Sequence, residues 1–564
     1  MAPAVCRAER VELEWDIGYV QVNRDGYNSR RAIGVNGALP IPPVYVTHGD
    51  VLAIKVHNSL DVPTAIHAHG LFQNGTSYYD GAGMVTQCGI PPGANFTYEL
   101  AANQVGTFWI HGHYRHQNSD GLRTPLVIRP PPSSGPADYD EDILLSLEDW
   151  YVQESQDKIA EVTAPNAPFP PKATFPYALI NGYNGNDTKP IRFTPGRRYR
   201  FRLISMSITE WFKFRIPGHV LEVIETDGIR SRPHAVEGID IGPGQRYSAI
   251  VRAHDTDAFN YMYNVTLYAN FVPTARGMNP RYYQGLIEYR AGAPVKQVAA
   301  AASDDEVRWL DDVELQPADP QPALPVDRAI ELTSRELITT DSRSLRTLNK
   351  YTYDEPQVPT LVTALTTGGM ASDPQVYGPQ AEAHVLRHLE GVEVRLNNPM
   401  GFVHAFHLHG HAFQIIEYGP VDRSTIAITA SGNRTANDVA LPPLRRFRGA
   451  PMMRDTLVVA PYEYVKLRFR ADNPGVWMFH CHMDTHFAAG LAITFVEAPD
   501  VLQQRQALPA ALADMCARQG IPASGNAVGK AGLDLDGLRP VPQEKPKGDN
   551  GNGNSNNGNK GGKN

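Results

Sequence analysis

Cysteine is scarce in this chain: Cys6, Cys88, Cys481 and Cys516 are the only four in 564 residues. That is too few for a scaffold held together by disulfides. Also missing is any run of about 18 consecutive apolar residues, so no membrane-spanning helix is expected. No long basic run occurs before the last twenty residues and the net charge is −8, which argues against nucleic acid as a partner. The opening MAPAVCRAER lacks the apolar centre of a leader peptide. Sequons at Asn74, Asn95, Asn186, Asn264 and Asn433 nevertheless suggest a secreted or cell-wall glycoprotein whose leader has been removed.

What is present is β-structure. Short alternating runs such as Val51–Val56, Tyr199–Leu203 and Val465–Phe469 are separated by turns, and 46 prolines and 48 glycines leave little room for long helices. The expected fold class is all-β, built from sandwiches or barrels. At this length several domains are expected. A Gly-containing aromatic strand running into a histidine pair occurs twice, at 105–111 and 474–480, which suggests duplicated domains. Composition shifts place the expected boundaries at 1–135, 136–300 and 301–520, followed by a disordered Gly/Asn/Lys tail over 521–564.

Four motifs carry the chemistry: His67-Ala-His69, His111-Gly-His113, His404-Ala-Phe-His407-Leu-His409 and His480-Cys-His482-Met-Asp-Thr-His486. They hold ten of the nineteen histidines. In a strand, residues i and i+2 face the same side, so each His-x-His projects two imidazoles into one space. Imidazole suits several metals, but a thiolate with two imidazoles is a blue-copper set. Cys481 would face away from its neighbours and bind one metal while they bind others. That arrangement wires two metal sites together through about 10 Å of backbone. With Cys481 so used, Cys88 and Cys516 could pair and leave Cys6 over; alternatively all three stay free.

These motifs resemble those of the multicopper oxidase family, and the likeness runs to about residue 500. It implies three cupredoxin-like Greek-key domains and four copper ions. Motif by motif, the resemblance assigns His404, Cys481 and His486 to one type 1 copper, and His67 and His407 to one type 2 copper. His69, His111 and His482 go to one type 3 copper, and His113, His409 and His480 to the other. The position ten residues after the cysteine is Leu491, which cannot ligate. Asp80 and Asp484 are candidates for relaying the protons that O₂ reduction consumes; alternatively they only orient ligands.

The expected partners are O₂ and a small reducing substrate, acting on a monomer. Phrases around residues 69–76 and 471–476 are similar to fungal iron oxidases. By hand alignment, however, Met400, Arg192 and the segment 268–271 stand where that group has iron-binding acids. Met400, Phe402 and Trp211 suggest an apolar pocket, and Asp227 aligns with the acid that binds the phenol hydroxyl in laccases. The favoured expectation is therefore laccase-like oxidation of phenols, such as pigment or polyketide phenols. Its alternatives are a ferroxidase, or a copper-buffering protein without turnover.

Overall fold

The computed structural model describes residues 8–135, 137–167, 176–184, 188–268, 281–298, 306–426 and 435–546. The three alternating runs fall within strands Val51–Asn58, Arg198–Ser205 and Glu463–Arg470. In the last of these, Val465, Leu467 and Phe469 are buried while Lys466, Arg468 and Arg470 are half-exposed, as a strand with one face on a core requires.

The strands form six sheets that stack as three successive sandwiches. Each sandwich repeats two parallel pairings within otherwise antiparallel sheets. In one sheet, Arg10–Val22 runs parallel to Val51–Asn58, Arg198–Ser205 to Glu141–Trp150, and Arg328–Ile338 to Gly391–Asn398. In the facing sheet, Val44–Thr47 runs parallel to Arg123–Arg129, Ile191–Arg192 to Arg281–Glu288, and Ala383–Leu386 to Ala492–Glu497. Each sandwich encloses its own apolar core, centred on residues such as Ile54 and Leu126, Phe201 and Val265, and Leu467 and Phe479.

Polar contacts between the sandwiches are buried. Arg202 of the second donates to Thr107 Oγ1 of the first at 2.9 Å. Arg454 of the third donates to Asp227 Oδ2 of the second at 2.9 Å, and Thr456 N–H reaches the same oxygen at 3.2 Å. Cys88 and Cys516 are bonded, fastening the C-terminal helix Ala510–Ala517 to the first sandwich; Cys6 lies outside the described residues.

Two expectations need correction. Residues 521–546, expected to lack order, pack against the third sandwich: Asn526 and Ala527 are buried, Ala527 N–H donates to Val376 O, and Lys545 N–H donates to Ile338 O. Their turns are closed by Asn526, whose amide donates to the Gly532 and Asp534 carbonyls, so local hydrogen bonding replaces the missing apolar content. Asn264 is buried in a strand and accepts from Gln284, so it does not present a glycosylation acceptor.

Neither partner of the Asp227–Arg454 pair has an exposed side chain. Removing one partner of such a pair strands the other's charge at a cost of roughly 3–5 kcal/mol. D227A is therefore expected to lower the unfolding free energy by that order, seen as a lower denaturant midpoint by tryptophan fluorescence; an unchanged midpoint contradicts the assignment.

Candidate metal centre

Strand pairing brings the four motifs together. Ile66–His69 pairs with Gly106–Gly112 in a register that sets His67 opposite His111. His404–Leu408 pairs with Gly475–Cys481, setting His407 opposite His480 and Phe406 opposite Cys481. The first and third sandwiches meet ring on ring: His69 stacks on His407 with centroids 3.7 Å apart, and His67 on His409 at 4.0 Å. All ten motif histidines except His404 and His486 thus share one buried space.

Six of the eight imidazoles of that space set one nitrogen on an oxygen. His67 Nδ1 donates to Asp80 O at 2.7 Å, His409 Nδ1 to Asp80 Oδ2 at 2.8 Å, and His407 Nδ1 to Asp455 O at 2.9 Å. His69 Nε2 donates to Asp455 Oδ1 at 3.2 Å, while His111 and His480 use the Gly112 and Cys481 carbonyls. This fixes the tautomer and turns the other nitrogen inward. Gly81 permits the approach of Asp80: its φ is +81°, and a Cβ there would stand 1.8 Å from Ile66 O.

The inward atoms fit metal ions. His67, His111 and His407 Nε2 are buried with no hydrogen-bond partner in the protein. His409 Nε2 lies 3.2 Å from His480 Nε2, and His69 Nδ1 lies 3.2 Å from His482 Nε2. Nitrogens each about 2.0 Å from one tetrahedral ion stand about 3.3 Å apart. Donor atoms group as His67/His407/His409, His67/His69/His111, His113/His409/His480 and His69/His407/Asp455. Burial drives His69, His111, His113, His480 and His482 well below the ordinary histidine range and takes His409 to about 3. Neutral imidazole is the ligating form.

Cys481 points the other way. Its Sγ lies 3.6 Å from both His404 Nδ1 and His486 Nδ1, which are 3.1 Å from each other. His486 sits on the short helix Asp484–Ala488, and Cys481 N–H donates to Leu491 O at 3.0 Å, which ties the loop to the strand. The Leu491 side chain is fully buried. Burial pushes the Cys481 thiol up to about 12, so thiolate formation there needs a cation. Phe402 covers this triangle, with its ring 5.2 Å from that of His404 and 5.4 Å from that of His486.

The two acids differ. Burial alone would raise Asp80, but His409 and His67 hold its carboxyl well below the usual range. Asp80 accepts from both imidazoles and so helps to orient them. Asp484 takes a hydrogen bond from Ser119 Oγ, and burial lifts its carboxyl to about 6, the pKa of a group that can hold and release a proton near neutrality.

Two expected substrate residues are buried. Asp227 has no exposed side-chain area and is consumed by Arg454, Arg246 and two backbone N–H groups, because it lies under the seam between sandwiches. Met400 is 1% exposed, and its carbonyl accepts from Tyr462 N–H at 3.3 Å. Trp211 lines a cleft with Tyr418, Val458 and Glu463, apart from Phe402.

Sequence reasoning missed Asp455 and Arg246. Arg246 donates to Asp455 at 2.7 and 2.6 Å, to Thr107 O at 3.0 Å and to Gly244 O at 3.2 Å. Asp455 and Thr456 then reach His69 and His407. No spacing rule links residues 209 apart, so no sequence signal pointed to the pair. His411 Nε2 lies 3.0 Å from Glu497 Oε2 in a buried pair, and its Nδ1 reaches the His409 carbonyl at 3.2 Å.

Family models described as multicopper oxidase match residues 16–133, 141–284 and 353–501. The chain is 37% identical to iron multicopper oxidase fer1 of Mycosarcoma maydis, over 95% of this chain and 88% of that protein. It is 34% identical to iron transport multicopper oxidase FET5 of Saccharomyces cerevisiae, over 97% and 89%. Among solved structures, Fet3p, a multicopper oxidase that functions in iron import, superimposes with a TM-score of 0.83 at 31% identity, covering 95% of this chain and 99% of that one. The laccase of Botrytis aclada gives 0.72 at 27% identity, covering 92% and 95%.

C481S is expected to abolish the thiolate-to-copper absorption band while the His67–His482 cluster still retains copper. Optical spectra together with metal analysis check this, and loss of all copper would contradict the separation of the two sites.

Proposed function

This chain belongs to the multicopper oxidase family, with the cupredoxin-like fold of that family, and we propose that it couples one-electron oxidation of Fe(II) to four-electron reduction of O₂ to water. The observation that carries the electron-transfer reading is the junction at 480–482. Cys481 faces one donor triangle and its two neighbours face the histidine cluster. The reading assigns one type 1 copper to His404, Cys481 and His486, and one type 2 copper to His67 and His407. It assigns the type 3 pair to His69, His111 and His482, and to His113, His409 and His480. Bound there, copper supplies one-electron acceptance at the thiolate and O₂ reduction at the cluster. The balance is four Fe(II), O₂ and four protons giving four Fe(III) and two waters.

The chain's own residues supply the rest. The backbone around Cys481 is a covalent bridge of about 10 Å between the two sites. Burial of the cluster histidines keeps them neutral and excludes bulk water. Asp484, with Ser119 behind it, is the candidate carrier of the consumed protons.

For the donor, the similarity to iron multicopper oxidases and to Fet3p supports iron. The case against iron drawn from hand alignment weakens. Arg192 sits beside Glu288, at the Tyr261 end of a strand whose Tyr268 end meets Trp211. That separation is roughly 24 Å at about 3.4 Å per residue, so Arg192 stands far from Trp211, the aromatic expected in the substrate pocket. Residues 269–271 lie outside the described residues. The phenol reading keeps one observation, the aromatic surface of Phe402 over both ligand rings.

O₂ uptake by copper-loaded protein is expected to show a higher kcat/KM for Fe(II) than for 2,6-dimethoxyphenol. A tenfold preference for the phenol overturns the donor assignment, and no uptake with either favours copper storage. D484N is expected to cut O₂ turnover by roughly 10²–10⁴, while stopped-flow reduction of the blue site without O₂ keeps its rate; equal loss in both contradicts a proton role.

A further inference from the structure

A buried cation lies against the Cys481 triangle. Strand Ser344–Leu348 rests on the loop that carries His486. Arg346 N–H donates to Ala489 O at 2.7 Å, Arg346 O accepts from Thr352 Oγ1 at 2.8 Å, and Tyr353 N–H donates to Gly490 O at 3.0 Å. These bonds fix the Arg346 backbone beside the segment 486–491. The side chain runs inward and is 7% exposed. Its guanidinium carbon is 5.4 Å from the centre of the Phe402 ring, the same ring that covers His404 and His486. Nη1 donates to Glu336 Oε1 at 3.1 Å, Ser344 Oγ at 3.1 Å and Leu345 O at 3.3 Å. Glu336 is more open, with 26% of its side chain exposed.

A guanidinium stays charged throughout the accessible pH range. Its field reaches all three donors. After burial, Arg346 is the charge that lowers His404, and it also lowers His486. At Cys481 burial raises the thiol and Arg346 opposes it. A fixed positive charge in a poorly solvated site stabilises whichever oxidation state carries less positive charge. When a donor's electron converts Cu(II) to Cu(I), no bond is made or broken, so the whole effect falls on the redox equilibrium.

We propose that Arg346 is a tuning residue: its buried charge, partly offset by Glu336, raises the reduction potential of the type 1 centre and so sets which donors can deliver electrons to Cys481. The proposal rests on the assignment of His404, Cys481 and His486 to that centre. Leu491, which offers no fourth ligand, acts in the same direction, so two independent devices favour the reduced state.

The test is equilibrium redox titration of the thiolate-to-copper band in copper-loaded, full-length R346M, R346K and E336Q. R346M is expected to make reduction about tenfold less favourable, a fall of about 59 mV for one electron. R346K, which keeps the charge, is expected to retain most of the wild-type potential. E336Q removes the offsetting carboxylate and is expected to raise the potential. Opposite signs for R346M and E336Q cannot arise from a loosened site. Equal falls in R346M and R346K, or a potential unchanged or lowered in E336Q, overturn the proposal. If R346M does not load copper, the sign of E336Q decides alone. A wild-type protein without the band refutes the type 1 assignment itself, whereas a band whose potential no variant moves refutes only the tuning role.

Discussion

The Arg246 guanidinium is the point at which the three sandwiches and the metal cluster become one problem. It belongs to the second sandwich, donates to the Thr107 carbonyl of the first, and forks onto Asp455 of the third. Burial favours neither charge alone, but each holds the other: Asp455 stays well below the usual carboxylate range and Arg246 stays protonated. Asp455 in turn accepts from His69, and its backbone carbonyl accepts from His407. A slip of one sandwich against another would therefore rotate ligand rings as well as open a seam. Such a paired charge buried beside a metal site is costly to desolvate; here it couples assembly to ligand orientation.

Asp80 plays the matching part on the opposite flank, holding His67 and His409 from the two sandwiches that contribute ligands. Between Asp80 and Asp455, the cluster is gripped from both sides by acceptors that leave the inward nitrogens open. The Cys481 triangle is built differently. All three donors come from the third sandwich, and they are covered by Phe402 and bordered by Arg346. One site depends on how units dock; the other is complete within a single core.

The ligands were legible because they cluster in sequence. Two-residue spacing along a strand translates directly into a shared face, and His-Cys-His encodes its own division between two sites. The strands were legible for the same reason, from alternation such as Val465–Phe469. What could not be read was whatever depends on long-range docking. Asp227, aligned with a phenol-binding acid, proves to be a buried ion-pair partner of Arg454. Met400 reads as a pocket lining and is buried. Arg246, Asp455 and Arg346 carry no local signature, since their roles arise from contacts between segments distant in the chain. The tail over 521–546 misled by composition, because its order comes from Asn526 and from backbone hydrogen bonds to Val376 and Ile338, not from apolar content.

The Cys88–Cys516 bond closes most of the polypeptide into a covalent ring that begins in the first sandwich and returns to it after passing through the other two. Within that ring the outer two units cannot drift apart without limit, even while their interface breathes. A centre assembled from ligands on both is thereby leashed, whereas one housed in a single unit gains little from the closure. Reducing conditions should therefore loosen the shared histidine cluster before they disturb the thiolate site, and the protein would lose its oxygen chemistry while keeping its colour.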